Sequence, residues 1–316
     1  MNLPSTMKTN TPNLFIVGAP RSGTTALYRF LDQHPDIYMS HPKEPTYFCS
    51  DIHRESDEFH GERKYFSYRT EEDYLRIFEG ARGEKIVGEA STPYLYSRVA
   101  AKKIHGFNPQ AKIIIMLRNP VDLLYSLHSR LVRHGVEPIW KFEDALDAED
   151  RRKAGKVPRS IIYPSSLAYR KRVRFREQVA RYYQHFPKGQ VKIIVAESFR
   201  ADNAGVYRNV LEFLGVDPGF QAVFSEVNAT QPLGSVRPHM FLTRAARSRL
   251  VRGTVKLIPF QRWVREKLGL ADITSRVSPI DPAGRSRLMA EFKNQVEDLS
   301  EYLGIALTRL WGYDKI

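Results

Sequence analysis

The chain has 316 residues, 49 Lys plus Arg against 35 Asp plus Glu, a formal charge of +14 and a pI near 9.8, a balance that favours anionic partners without naming one. Its only cysteine, Cys49, excludes an intrachain disulfide and a cysteine-cluster metal site. The longest aliphatic runs are far too short to span a bilayer, and the first twelve residues are polar without the apolar stretch of a signal peptide. These features predict a cytoplasmic protein with a flexible tail over 1–12 and one domain over 13–316, since no linker-like composition interrupts the chain.

In chain order, Leu14–Val17 reads as a buried strand and Thr24–His34 as a helix stopped by Pro35. Residues 50–69 show no periodicity and read as a surface excursion. Tyr74, Ile77 and Phe78 have helical spacing, and a short strand is expected at Lys85–Gly88. Ala111–Leu117 is the strongest strand signal, a nearly continuous aliphatic run suited to a parallel strand covered on both faces. Val121–His134 follows as a helix with Val121, Leu124, Leu127 and Leu131 on one face. Residues 135–164 read as a mobile loop, Ser165–Phe186 as one long basic helix, Val191–Ala196 as a strand, and Val206–Leu214 as a helix ended by Gly215. A loop at Asn228–Pro238, a cationic stretch at Arg244–Lys267 and a final helix at Met289–Leu303 complete the reading. The alternation predicts an α/β fold: a single P-loop-like domain with a central parallel sheet flanked by helices, and extra C-terminal helices.

Two segments carry chemistry. The first strand runs into Gly18-Ala-Pro-Arg-Ser-Gly-Thr-Thr25, where Gly18, Gly23 and Thr25 keep the spacing of a nucleotide-binding loop but Thr24 stands at the lysine position. Glycines let the backbone curl so that amides and a helix N-terminus face an anion, and Ser22, Thr24 and Thr25 add hydroxyl donors. The missing lysine removes the contact to a triphosphate's outer phosphates, leaving Arg21 as the loop's cation. The second segment, Arg118-Asn-Pro-Val-Asp-Leu-Leu-Tyr-Ser126, follows the strongest strand, at the carboxyl end where ligands bind in open parallel sheets. An arginine there, in place of a magnesium-holding aspartate, offers a bidentate grip on phosphate.

The pair of motifs, roughly a hundred residues apart, resembles the sulfotransferases that use 3′-phosphoadenosine-5′-phosphosulfate. The resemblance implies that Arg21, Ser22, Gly23, Thr24 and Thr25 bind the 5′-phosphosulfate and that Arg118 and Ser126 bind the 3′-phosphate. It also implies 3′,5′-adenosine bisphosphate as product and no required metal. His34–Phe48 is similar to the branch containing heparan sulfate and bacterial carbohydrate sulfotransferases, which makes Glu44 the candidate base, with Lys43 beside it toward the acceptor. Gly88–Leu95 is similar to a Glu-Lys-Thr-Pro-x-Tyr segment of that branch and assigns Glu89 to the acceptor side, although Ala90 or Ser91 stands where a lysine often lies. Phe175, after Arg174, and Arg237, in the late loop, are the remaining nucleotide contacts that the resemblance implies.

The expected acceptor is a hydroxyl or amine of a carbohydrate, a lipid-linked compound or another small molecule, held by residues 50–70 and 135–164. The basic stretch at 244–267 allows contact with a membrane surface or sulfated glycan. Nucleic acid is not expected, because no aromatic-rich RNA motif or zinc-finger spacing occurs. A P-loop nucleotide kinase and a non-enzymatic binder of anionic polymers are the alternatives. Thr24 and Arg118 stand against the first, and the specific pair of motifs against the second.

Overall fold

The computed structural model describes residues 10–224 and 280–316. Five strands, β1 (Leu14–Gly18), β2 (Ile37–Met39), β3 (Ile86–Ala90), β4 (Lys112–Leu117) and β5 (Val191–Val195), form one parallel sheet in the order β2-β3-β1-β4-β5. The helices are α1 (Thr24–Leu31), α2 (Ser50–His60), α3 (Glu71–Arg76), α4 (Pro93–Tyr96), α5 (Ala100–Phe107), α6 (Pro120–Arg133) and α7 (Phe142–Asp147). They continue with α8 (Glu149–Lys153), α9 (Tyr169–Arg172), α10 (Phe175–Tyr183), α11 (Ala196–Ala201), α12 (Asn203–Leu214), α13 (Pro282–Leu303) and α14 (Leu307–Trp311).

The period-two alternation of strands divides the core between the faces of the sheet. Phe15, Val17, Ile113, Ile115 and Leu117 pack into one cluster with residues of α2, α3, α5, α6, α10 and α13. Leu14, Ile16, Ile114 and Met116 pack into the other with α1 and α12. Ile113 to Leu117 are wholly enclosed, which is why β4 carries no polar alternation. Full burial of each such side chain stabilises the fold by about 1.5–3 kcal/mol.

The chain departs from the sequence-based expectation at several points, and over 135–186 polar groups explain the difference. Helix α1 ends at Leu31, short of the expected His34, and β2 is an additional strand of only three residues. The expected excursion over 50–69 contains α2, whose buried face is Ile52, His53 and Ser56 and so lacks a hydrophobic stripe. The expected loop over 135–164 holds α7 and α8 and is pinned by a buried network. Glu137, wholly enclosed, accepts from Arg152 Nη2 at 2.8 Å and from the Tyr169 hydroxyl at 2.8 Å. The expected helix over 165–186 is instead a 3-10 turn (Pro164–Leu167), α9 and α10. Gln178 Nε2 donates to the carbonyls of Lys171 and Arg172, capping α9 with a side chain where an unbroken helix would use the next turn. The final helix begins seven residues before Met289, with Asp281 accepting from Gly284 N–H at its start. Asn228–Pro238, with Arg237, and Arg244–Lys267 lie outside the described residues.

Candidate active site

Strand β1 lies between β3 and β4, so the chain leaves it in opposite directions and the carboxyl ends of these strands open a crevice. Gly18 has φ +143°, and a Cβ there would stand 2.7 Å from Leu95 Cβ and 3.0 Å from Thr92 O. Only glycine lets the loop start this close to the exit of β3. Gly23, φ +94°, then turns the chain into α1, whose ladder opens with Ala26 and Leu27 N–H donating to Gly23 O, so the amides of Thr24 and Thr25 precede it. Ser22 is buried and its Oγ has no partner among the described residues; Thr24 is buried, Thr25 partly exposed.

The second motif arrives from β4. Asn119 fixes the helix start by accepting from Val121 N–H at 3.0 Å, Pro120 occupies the first turn, and Asn119 Nδ2 donates to Trp311 O at 3.2 Å. Arg118 therefore sits between the end of β4 and the Asn119 cap of α6 and lies over the loop, with Nη1 donating to Arg21 O at 2.8 Å. Arg21 Nε in turn donates to Ser126 Oγ at 2.8 Å. The structure thus brings Arg21, Arg118 and Ser126 into one hydrogen-bonded group.

Its charge is unbalanced toward positive. Burial, then the charges of Arg130, Arg118 and Arg133, push the Arg21 pKa down to about 10. Arg118 is lowered as well, first by burial, against the opposing pull of Asp122. Asp122 is paired with Arg285 at 2.6 Å, and Glu197 accepts from Trp311 Nε1 at 2.8 Å, so the carboxylates nearest Arg118 are already engaged. Arg118 makes no ion pair within 4.0 Å among the described residues, and its buried Nε has no partner. Arg130 and Arg133 were not singled out from the sequence. They lie four and seven residues beyond Ser126, on the same face of α6, and the helical period carries that signal.

Glu44 stands beside this loop. Its N–H donates to Ala90 O at 3.1 Å, and its Oε1 accepts from Thr92 Oγ1 at 3.1 Å and from Lys43 Nζ at 2.9 Å. Thr92, whose carbonyl crowds Gly18, is a contact the sequence reading passed over. Glu89, expected at the acceptor, is wholly enclosed and reaches no surface itself. It accepts from the hydroxyls of Tyr74, Tyr94 and Ser91 at 2.7, 2.8 and 2.6 Å. Phe175, expected near the nucleotide, is 2 % exposed and packs in the core, while Arg174 pairs with Glu177 on the outside.

No group of three or more His, Cys, Asp or Glu capable of holding a metal occurs among the described residues. No helix among them is long and apolar enough to cross a membrane.

Comparison with known proteins agrees with this geometry. The chain is 30% identical to the sulfotransferase from Alicyclobacillus acidocaldarius, whose crystal structure superposes with a TM-score of 0.68 over 93% of this chain and 96% of that one. It is 29% identical over 215 residues to the human bifunctional heparan sulfate N-deacetylase/N-sulfotransferase 3. It is 26% identical over 212 residues to the Xenopus laevis bifunctional enzyme 1. Those matches take in 66% and 65% of this chain but only 23% and 22% of the relatives. The family description that matches residues 12–221 is that of the sulfotransferases, and the chain belongs to the sulfotransferase family.

Proposed function

We propose that this chain transfers a sulfuryl group from 3′-phosphoadenosine-5′-phosphosulfate to an amine or hydroxyl of a carbohydrate or other small acceptor. The observation that carries the proposal is the convergence of Arg118 and Ser126, from the β4 motif, on Arg21 of the β1 loop. The site has the character of an anion cradle. Among the described residues Ser22 Oγ and Arg118 Nε are buried without partners, at a cost that a phosphate oxygen would relieve. The names of the heparan sulfate N-sulfotransferase relatives favour a glycan amine within that acceptor class.

The bound donor supplies the sulfuryl group and a phosphate that leaves with increased negative charge. The loop amides with Ser22, Thr24 and Thr25 would hold its 5′ side, and Arg118 with Ser126 its 3′-phosphate, inside the field of Arg130 and Arg133. Arg21, still charged at a pKa of about 10, stabilises charge on the leaving side without giving up a proton. Glu44 takes the proton from the acceptor once the acceptor displaces the contact with Lys43, which then neutralises part of the charge nearby.

A thermal-shift series with 3′,5′-adenosine bisphosphate, AMP, ADP and ATP, each with and without magnesium, tests the nucleotide. The bisphosphate stabilises the protein most, with no magnesium dependence. Preference for magnesium–ATP refutes the proposal in favour of a kinase. Radiolabelled donor offered with de-N-sulfated heparan oligosaccharides, neutral sugars and simple phenols then identifies the acceptor class.

A further inference from the structure

Glu44 and Thr46 both have left-handed backbone, with φ 61° and 58°, in a segment that contains no glycine. That conformation is strained and persists only where the surroundings impose it. The mould is the exit of β3. Glu44 N–H donates to Ala90 O and Thr46 N–H to Ser91 Oγ, each at 3.1 Å. Ser91 is wholly enclosed, and its single hydroxyl proton is committed to Glu89 Oε2 at 2.6 Å, which turns its lone pairs toward Thr46. Glu89 is itself fixed through Oε1 by the hydroxyls of Tyr74 in α3 and Tyr94 in α4.

A carboxyl group with no exposure and no cation within 4.0 Å among the described residues is an expensive choice at a position where a leucine would only need to pack. We propose that Glu89 is a positioning residue: by clamping the Ser91 hydroxyl it makes Ser91 hold Thr46, and so sets the left-handed turn that aims the Glu44 carboxylate at the acceptor. The inference rests on the assignment of Glu44 as the base.

The clamp responds to pH. Burial raises Glu89 to about 7, against the hydrogen bonds from Ser91, Tyr74 and Tyr94 and the charge of Lys43. The other titratable groups facing it are Cys49, Tyr74, Tyr94 and Tyr182, all pushed upward by burial and neutral at this pH. His53, with Nε2 2.9 Å from Thr46 O, stays neutral as well, because burial and Arg69 lower it to about 4. Glu89 is therefore the group in this cluster that changes charge near neutrality. Oε1 already accepts two hydroxyls, so the proton is taken up at Oε2, where it reverses the bond to Ser91 and weakens the polarised hold on Thr46.

The test compares wild type with Glu89→Gln, Ser91→Ala and Glu44→Gln. It measures amide exchange of residues 44–47 and of the 18–25 loop, 3′,5′-adenosine bisphosphate affinity, and turnover against pH on the acceptor selected above. Glu89→Gln and Ser91→Ala speed exchange of 44–47 at least tenfold and leave the 18–25 loop unchanged. They lower kcat at least fivefold at pH 8 with bisphosphate affinity within twofold, and Glu89→Gln loses the wild-type inflection near pH 7. Unchanged exchange in 44–47 overturns the inference, as does faster exchange with wild-type turnover, or turnover and affinity falling together. If Glu89→Gln does not fold, Ser91→Ala decides by the same criteria. Wild-type turnover in Glu44→Gln removes the base assignment itself, which separates that failure from a failure of the clamp.

Discussion

Replacing Arg118 by alanine removes two separable interactions. One guanidinium nitrogen holds the Arg21 carbonyl at 2.8 Å, while the buried Nε has no partner among the described residues and is proposed to meet the 3′-phosphate. Losing the first loosens the loop toward every nucleotide, by about 1 kcal/mol for an uncharged acceptor, or about fivefold in affinity. Losing the second costs about 1.5–3 kcal/mol, roughly ten- to 150-fold, and falls only on a ligand that carries a 3′-phosphate. Titration calorimetry with 3′,5′-adenosine bisphosphate and with 5′-AMP, at one fixed ionic strength, separates the two contributions. The variant binds AMP slightly more weakly and the bisphosphate much more weakly, so most of the wild-type preference between them disappears. Equal losses for both nucleotides, or no loss for either, would refute the placement of the 3′-phosphate at Arg118.

Three further outcomes follow from the geometry. Ser126→Ala, which releases Arg21 Nε and deletes a hydroxyl donor, weakens bisphosphate binding by about 0.5–1.5 kcal/mol in the same calorimetric assay. Arg152→Met strands the enclosed Glu137 carboxylate and lowers unfolding free energy by about 3–5 kcal/mol, read from urea titration. His53, held at about 4 in the fold against 6.5 when unfolded, stays neutral while the unfolded chain gains a proton. Its contribution to stability is complete above pH 6.5 and is lost as pH falls toward 4, at about 1.36 kcal/mol per unit and on the order of 3 kcal/mol in all. Glu89 works in the opposite sense, favouring the fold below its unfolded value of 4.5 and losing that contribution as pH rises through about 7. A comparison of wild type with His53→Gln by urea unfolding at several pH values cancels Glu89. Identical slopes in the two proteins would count against a buried neutral His53.

The parts of the fold that were legible in the sequence are those held by apolar burial or by backbone geometry. β4 shows itself as a nearly uninterrupted apolar run, α6 as an Asn-Pro start with one apolar face, and the β1 loop as two spaced glycines. The segments that were misread are held by polar groups distant in sequence. Glu137 meets Arg152 and Tyr169, and Gln178 interrupts a helix that no proline or glycine marks. The site divides in the same way. Arg21, Arg118 and Ser126 follow from motif and strand position, and Arg130 and Arg133 were accessible from the helical period. The left-handed turn at Glu44 and its support by Ser91 depend on β2 and β3 lying side by side, which single-residue preferences do not encode.

The central place of β1 and β4 has a consequence for how such an enzyme changes its choice of acceptor. Both motifs proposed to anchor the donor follow interior strands, each paired with a neighbour on either side, as β3 also is. Residues 50–70 and 135–164 contribute no strand to the sheet. Insertions or exchanges there can remodel what is sulfated while the grip on the nucleotide stays as it was, so new specificities are reached without rebuilding the chemistry.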